Sequence, residues 1–270
     1  MNIICEIQQK YNNFSDKEKS IANYILHQPD MIKNINIIEL AKITGTSSST
    51  ITRFSKKIGC DSFVEMKMQI NLITNDNKSI DSASIFSSVY NHYNEVIERT
   101  NSLIDKSAIL NIVEEIKKAN KIYLYGVGSS GLTATEMMQR LIRMGFNVHC
   151  ISDSHMMIIN SSITSPEDFV IGFSISGETK ELVNALKFSK KNGSKIACIT
   201  SFDESLITAY SDIILKVYNT RFIGRHKFIN SQFSTMYLVD LISTVLLEDK
   251  TLEEKMQITI DAIINRVGGR

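Results

Sequence analysis

The sequence predicts an α/β chain in two parts: an all-α N-terminal domain over residues 1–73, a polar linker over 74–84, and a doubly wound, five-stranded parallel-sheet domain over 85–270. Three observations lead there. Residues 1–72 carry helical periodicity only, in short pieces. TNDNKSIDSAS, Thr74 to Ser84, is polar, rich in Asn, Asp and Ser, and has no sustained period. After Ile85, continuous apolar β-rich runs alternate with amphipathic segments, the pattern of a parallel sheet covered on both faces.

The first clear element is the helix in SDKEKSIANYIL. Ser15 is its N-cap, Glu18 completes a capping box, and Ile21, Tyr24 and Ile25 share one face. Pro29 ends that region. Next comes IIELAKITGTSSSTITRFSKKIG, Ile37 to Gly59, with the spacing of two helices crossed around a tight turn. Ala41 is small where the helices approach, Gly45 supplies a positive φ in the turn, and Ser47 caps the second helix. Ile51, Phe54 and Ile58 form its buried stripe. Ser47, Ser48, Ser49, Thr50, Thr52, Arg53, Lys56 and Lys57 are the candidate DNA contacts: a short polar front suited to base edges and a basic rear suited to phosphates. The alternative is an ordinary helical hairpin with a solvated basic face. So few cations imply weak monomer binding, hence a dimer on two half-sites of a palindromic operator.

In the second part, helices are expected at about 85–103 and 106–118. Strands follow in KIYLYG (121–126), NVHCIS (147–152), DFVIGFS (168–174), KIACITS (195–201) and DIILKVY (212–218). Helices at about 130–144, 154–162, 178–191 and 204–210 lie between them. A long apolar helix at about 230–248 and a terminal one at about 251–266 close the chain.

Composition narrows the function. Net charge is +1, so any charged partner must be met by a local patch. Cys5, Cys60, Cys150 and Cys198 are scattered without a C-x-x-C pair, which suits reduced thiols in the cytoplasm better than disulfides or a metal site. No apolar run approaches the ~18 residues of a membrane span, and the N-terminus lacks signal-peptide layout. A cytoplasmic protein without membrane contact is expected, with no metal and no cofactor.

Two stretches point to an anion. In YLYGVGSSGLTATEMM, Gly126 and Gly128 turn the chain sharply, and Ser129 and Ser130 open a helix whose free N–H groups favour negative charge. Gly126, Gly128 and Gly131 also spell G-x-G-x-x-G, and Asp153 follows the second strand, so a dinucleotide fingerprint is the competing reading. FSISGETKELV decides between them. It brings a second hydroxyl cluster, Ser174, Ser176 and Thr179 with Gly177 and Glu178, to another strand end. A phosphate monoester, whose oxygens need many donors, uses both clusters; a dinucleotide has no use for the second. The P-loop pattern is absent, against nucleoside triphosphates.

With these motifs on view, residues 121–216 resemble the sugar isomerase (SIS) domain through GVGSSG and SISGET. Residues 1–72 resemble the N-terminal domain of RpiR-type transcriptional regulators, through FSDKEKSIANYILHQPD and ELAKITGTSSSTITRFSKKIG. The order and length fit that family over nearly the whole chain. The resemblance implies a bacterial regulator of carbohydrate metabolism, a homodimer or homotetramer, whose SIS domain binds a phosphosugar and alters operator binding. It implies an effector site at Ser129, Ser130, Ser174, Ser176 and Thr179, with Gly177 and Glu178 beside them, Asp153 and His155 near the pocket, and Ser231 at a position where related proteins carry serine. Thr44 and Thr46 depart from the pattern, replacing more apolar residues around the turn.

SIS enzymes move protons and need a placed base. Glu178, His155, His226 and Asp240 are the candidates, and no acid/base pair stands out among them. The attached helix-turn-helix favours a sensor that is not an enzyme; the alternative is a phosphosugar isomerase with an accessory helical domain.

Overall fold

The structure, a computed structural model, describes residues 3–75, 85–218 and 230–268. The chain divides into two compact units, and the main division falls between Glu98 and Arg99.

The first unit is helical: α1 (Ile3–Gln9), α2 (Asp16–His27), α3 (Pro29–Ile32), α4 (Ile37–Thr44), α5 (Ser48–Lys57) and α6 (Phe63–Asn75). The capping box forms: Ser15 Oγ accepts from Glu18 N at 3.4 Å, and the Glu18 carboxylate accepts from Ser15 N at 2.8 Å. α4 ends at Gly45 with φ +64°, and α5 starts from Ser47, whose Oγ accepts from Thr50 N at 3.2 Å. Ile51, Phe54 and Ile58 are buried against Ile21, Ile25 and Leu40. Each such burial is worth about 1.5–3 kcal/mol, so core packing rather than propensity holds these short helices. The two threonines that depart from the family pattern satisfy one another: Thr44 Oγ1 donates to Leu40 O at 2.7 Å and lies 2.9 Å from Thr46 Oγ1.

α7 spans Ile85–Leu103. The linker expected over 74–84 lies outside the described residues from position 76 on, since α6 runs through Asn75.

The second unit contains α8 (Lys106–Lys118), β1 (Ile122–Gly126), α9 (Ser129–Arg143), β2 (Val148–Ile151), α10 (Ser154–Ser162), β3 (Phe169–Phe173), α11 (Lys180–Lys191), β4 (Lys195–Thr200), β5 (Ile213–Lys216), α12 (Phe233–Leu246) and α13 (Lys250–Gly268). The sheet is parallel throughout, in the order β2-β1-β3-β4-β5. Side chains alternate between two cores with the period of 2 that strands impose. Ile122, Leu124, Phe169, Ile171, Ala197 and Ile199 pack with α8, α9 and α12, while Tyr123, Tyr125, Val170, Ile196 and Cys198 pack with α10 and α11. Both faces are buried, which is why these strands read as unbroken apolar runs.

Two expected helix limits are corrected. The segment at 204–210 is a 3-10 turn over Thr208–Tyr210, because the Thr208 hydroxyl accepts from Ser205 N (2.9 Å) and donates to Ser205 O (2.8 Å), holding the backbone in a turn. The helix expected from 178 begins at Lys180, and residues 174–179 form a loop instead.

Candidate functional site

Gly126 and Phe173 are register partners, so the chain leaves β1 and β3 side by side. From β1 it turns toward β2, and from β3 toward β4. That divergence makes the crevice where open α/β sheets bind ligands.

The first loop is packed backbone on backbone. A Cβ on Gly126 would lie 2.8 Å from Ser130 O, and one on Gly131 2.7 Å from Gly126 O. Gly128 holds φ +60° and ψ −129°, a conformation that side chains resist. α9 therefore starts directly above the strand end, with its first N–H groups free for an anion. Ser129 is exposed; Ser130 is half-buried and donates from Oγ to Gln232 Oε1 at 3.4 Å. Gln232, buried at the foot of α12, joins the cradle from 102 positions away. No local motif marks it, so sequence reasoning missed it.

The second loop is organised around Ser174. Its buried Oγ lies 2.9 Å from Thr179 Oγ1 and 3.4 Å from Ser176 Oγ, and accepts from Gly177 N at 3.1 Å. Thr179 caps α11 in position only, because its hydroxyl is turned to Ser174. Gly177 has φ +68°, and any Cβ there would run into the Ser205 side chain. Ile175 O accepts from Ser201 N (3.0 Å) and Thr200 Oγ1 (3.3 Å), and Gly177 O accepts from Ile207 N (3.1 Å), which lays the loop on the end of β4. Ser176 is half-buried; its Oγ accepts from Glu178 N at 3.3 Å, and the Glu178 side chain is exposed. Hydroxyls and amides thus face the crevice from two neighbouring strand ends, and neither loop contains a lysine or arginine.

Among the described residues, the acid/base candidates do not assemble. His155 stands exposed in the first turn of α10, where Asp153 caps Met156 N at 2.8 Å, and bonds to neither serine loop among the described residues. Asp240 is exposed and pairs with Arg140 Nη1 at 2.6 Å; Arg140 Nε also meets Glu136 at 2.9 Å. His226 lies outside the described residues. Burial pushes the Cys60 thiol up to about 11, with Glu65 and Asp61 adding to it, and burial pushes Cys198 up to about 12, so neither is a ready nucleophile. No His/Cys/Asp/Glu cluster suited to a metal occurs among the described residues, and no helix there is long and apolar enough to cross a membrane.

In the helical unit, α5 presents Ser49, Arg53 and Lys56 exposed at i, i+4 and i+7. Arg53 and Lys56 form no ion pair among the described residues. Ser47 is occupied as the cap, its Oγ also 2.8 Å from the hydroxyls of Ser49 and Thr50. Ser48 and Thr52 are half-buried, with Thr52 Oγ1 donating to Ser48 O at 3.0 Å. Lys57 is turned away from that row, toward α2.

The model of the helix-turn-helix domain of the rpiR family matches residues 1–76, and that of the SIS domain matches residues 115–243. An uncharacterised HTH-type transcriptional regulator of Haemophilus influenzae is 30% identical over 280 residues, spanning 98% of this chain and 97% of its own. The chain belongs to the RpiR family of helix-turn-helix transcriptional regulators. A second such relative, from Clostridium perfringens, is 30% identical over 284 residues, 98% of this chain and 100% of its own. The Vibrio vulnificus NanR protein, solved in complex with ManNAc-6P, matches this RpiR-family chain with a TM-score of 0.64 and 25% identity over 98% of each chain. The sugar isomerase domain of an RpiR transcription factor from Sphaerobacter thermophilus, 19% identical over 64% of this chain and 96% of its own (TM-score 0.59), shares the fold. The protein is accordingly an HTH-type transcriptional regulator with a SIS domain.

Proposed function

We propose that this regulator binds a palindromic operator of a bacterial carbohydrate operon as a homodimer or homotetramer, and that a sugar phosphate seated between the two serine loops alters that binding. The hydroxyl cluster centred on Ser174, on the strand end next to the α9 N-terminus, carries the reading. It offers many neutral donors. Ser129, Ser130, Ser174, Ser176, Gly177 and Thr179 hold the phosphate, and Glu178 and His155 stand at the rim toward the sugar. The full-length likeness to a protein bound to ManNAc-6P supports an effector of this chemistry. On the DNA, Ser49 and its neighbours Ser47, Ser48, Thr50 and Thr52 lead into the groove toward base edges, while Arg53 and Lys56 meet the backbone phosphates. A DNA target places the protein in the cytoplasm.

The test is a thermal-shift screen of hexose and amino-sugar phosphates on the full chain beside Ser176→Ala. One phosphosugar should raise the melting temperature of the wild type and leave Ser176→Ala unmoved. A shift that survives in Ser176→Ala, or none across the panel, would sink the effector site. For the DNA side, Arg53→Ala should weaken operator binding and reduce the slope of log K against log salt by ~1.

A further inference from the structure

Lys57 was expected to touch phosphate, yet its ammonium is spent within the domain. Nζ donates to Asn13 O at 2.9 Å and to Glu18 Oε2 at 3.0 Å, and stands 5.3 Å from the centre of the Phe14 ring. Glu18 is the capping-box carboxylate of α2, so one side chain closes the start of α2 and grips the end of α5. Burial works against its charge, but Ser15 and Lys57 together hold it below the usual carboxylate range. Phe14 also meets Phe54, from the buried stripe of α5, at 5.0 Å between ring centres. From the other side Lys10 Nζ, itself 3.1 Å from Glu6, donates to Lys57 O at 3.1 Å. The last turn of α5 is thus held by its side chain, its backbone and its core aromatic.

We infer that Lys57 and Glu18 are positioning residues that set the angle of the recognition helix on α2, and that Lys57 does not contact phosphate. The inference rests on the proposal that α5 enters the DNA groove. α5 has 10 residues, about 15 Å of helix, with the clamp at its C-terminus and the base-reading end at its N-terminus. A tilt of about 4° at the clamp carries Ser49 and its neighbours roughly 1 Å, enough to spoil a base-edge hydrogen bond. Backbone phosphates, met by flexible cations, tolerate such a shift. The clamp therefore governs sequence preference more than gross affinity.

The experiment uses the full chain, a duplex that the wild type selects from a randomised pool, and a random-sequence duplex of equal length, titrated at several salt concentrations. Glu18→Gln is the informative variant, because glutamine keeps the capping box and removes only the charge. Lys57→Met keeps the apolar stem on Phe14 and removes the ammonium; a melting curve confirms that each variant is folded. Expected for both is a fall of roughly tenfold on the selected duplex, the size of one good base contact. Affinity for the random duplex should stay within about twofold and the salt slope should not change. A merely structural role would lower the melting temperature and leave the ratio of the two affinities intact, which overturns the inference. A phosphate role also overturns it: Glu18→Gln would then tighten both duplexes, and Lys57→Met would loosen both alike with the slope lower by ~0.9. If the wild type selects no duplex over random sequence, the DNA reading falls and takes this inference with it.

Discussion

At Gly177 two demands meet in one residue. Its φ of +68° lies where an L side chain costs about 1–2 kcal/mol, and the space a Cβ needs is already filled by Ser205. Gly177→Ala should therefore lower the melting temperature and also abolish the phosphosugar shift, because the loop can no longer hold Ser174 and Ser176 in place. Ser176→Ala should abolish the shift while nearly keeping the wild-type melting temperature. Differential scanning calorimetry with and without the effector separates the two; equal stability of both variants would contradict the packing argument. The SISGET segment announces a turn, but the collision with Ser205 does not show in sequence, since the partner sits on the next strand's loop. Lys57 illustrates the same limit. It reads as one cation in a basic run, and only the fold shows its ammonium committed to Asn13, Phe14 and Glu18.

Among the elements, β5 shows how a short edge strand is pinned. Asp212, just ahead of it, accepts from Ile196 N at 2.9 Å and from Lys190 Nζ at 2.6 Å, tying the strand entrance to β4 and α11. Burial pushes its carboxyl pKa up, but Lys190 and the Ile196 amide outweigh this and hold it below the ordinary value. A pKa depressed in the folded state stabilises the protein above the unfolded value near ~3.9, and that stability is lost as pH falls through the folded value. Asp212→Asn should thus cost about 1 kcal/mol near neutral pH, a modest figure because the pair is partly solvated. The gap in melting temperature between variant and wild type should close as the pH drops below ~4. A gap that persists at pH 2 would assign the role to shape rather than charge. The corrected limits at 178 and 204–210 belong here too: in both, a threonine hydroxyl bonded to a serine three to five residues back holds a turn where the pattern reads as helix.

For the whole molecule, the proposed dimer sets a geometric condition on DNA. Recognition helices of a symmetric pair reach half-sites about 34 Å apart, one turn of duplex, or multiples of it. Inserting about 5 base pairs between the half-sites turns them to opposite faces, so affinity should fall to that of a single half-site and return on inserting about 10. Effector binding should change operator affinity by roughly 5- to 150-fold, the range of a ~1–3 kcal/mol coupling. By linkage the operator should change effector affinity by the same factor. Fluorescence anisotropy in both directions checks this; unequal factors would mean that effector and operator are not linked through one equilibrium.

The helix-turn-helix, the parallel sheet, the capping box at Ser15 and the two hydroxyl loops are all legible in the amino-acid order. Each rests on spacing within a few residues, where backbone geometry and hydrophobic period leave little choice. That Gln232 joins Ser130, that Asp240 answers Arg140 and that Lys57 turns inward to Glu18 emerges from the folded chain alone. Those pairings join side chains far apart in the chain, and such contacts come from how packed elements place their surfaces, which no local pattern encodes.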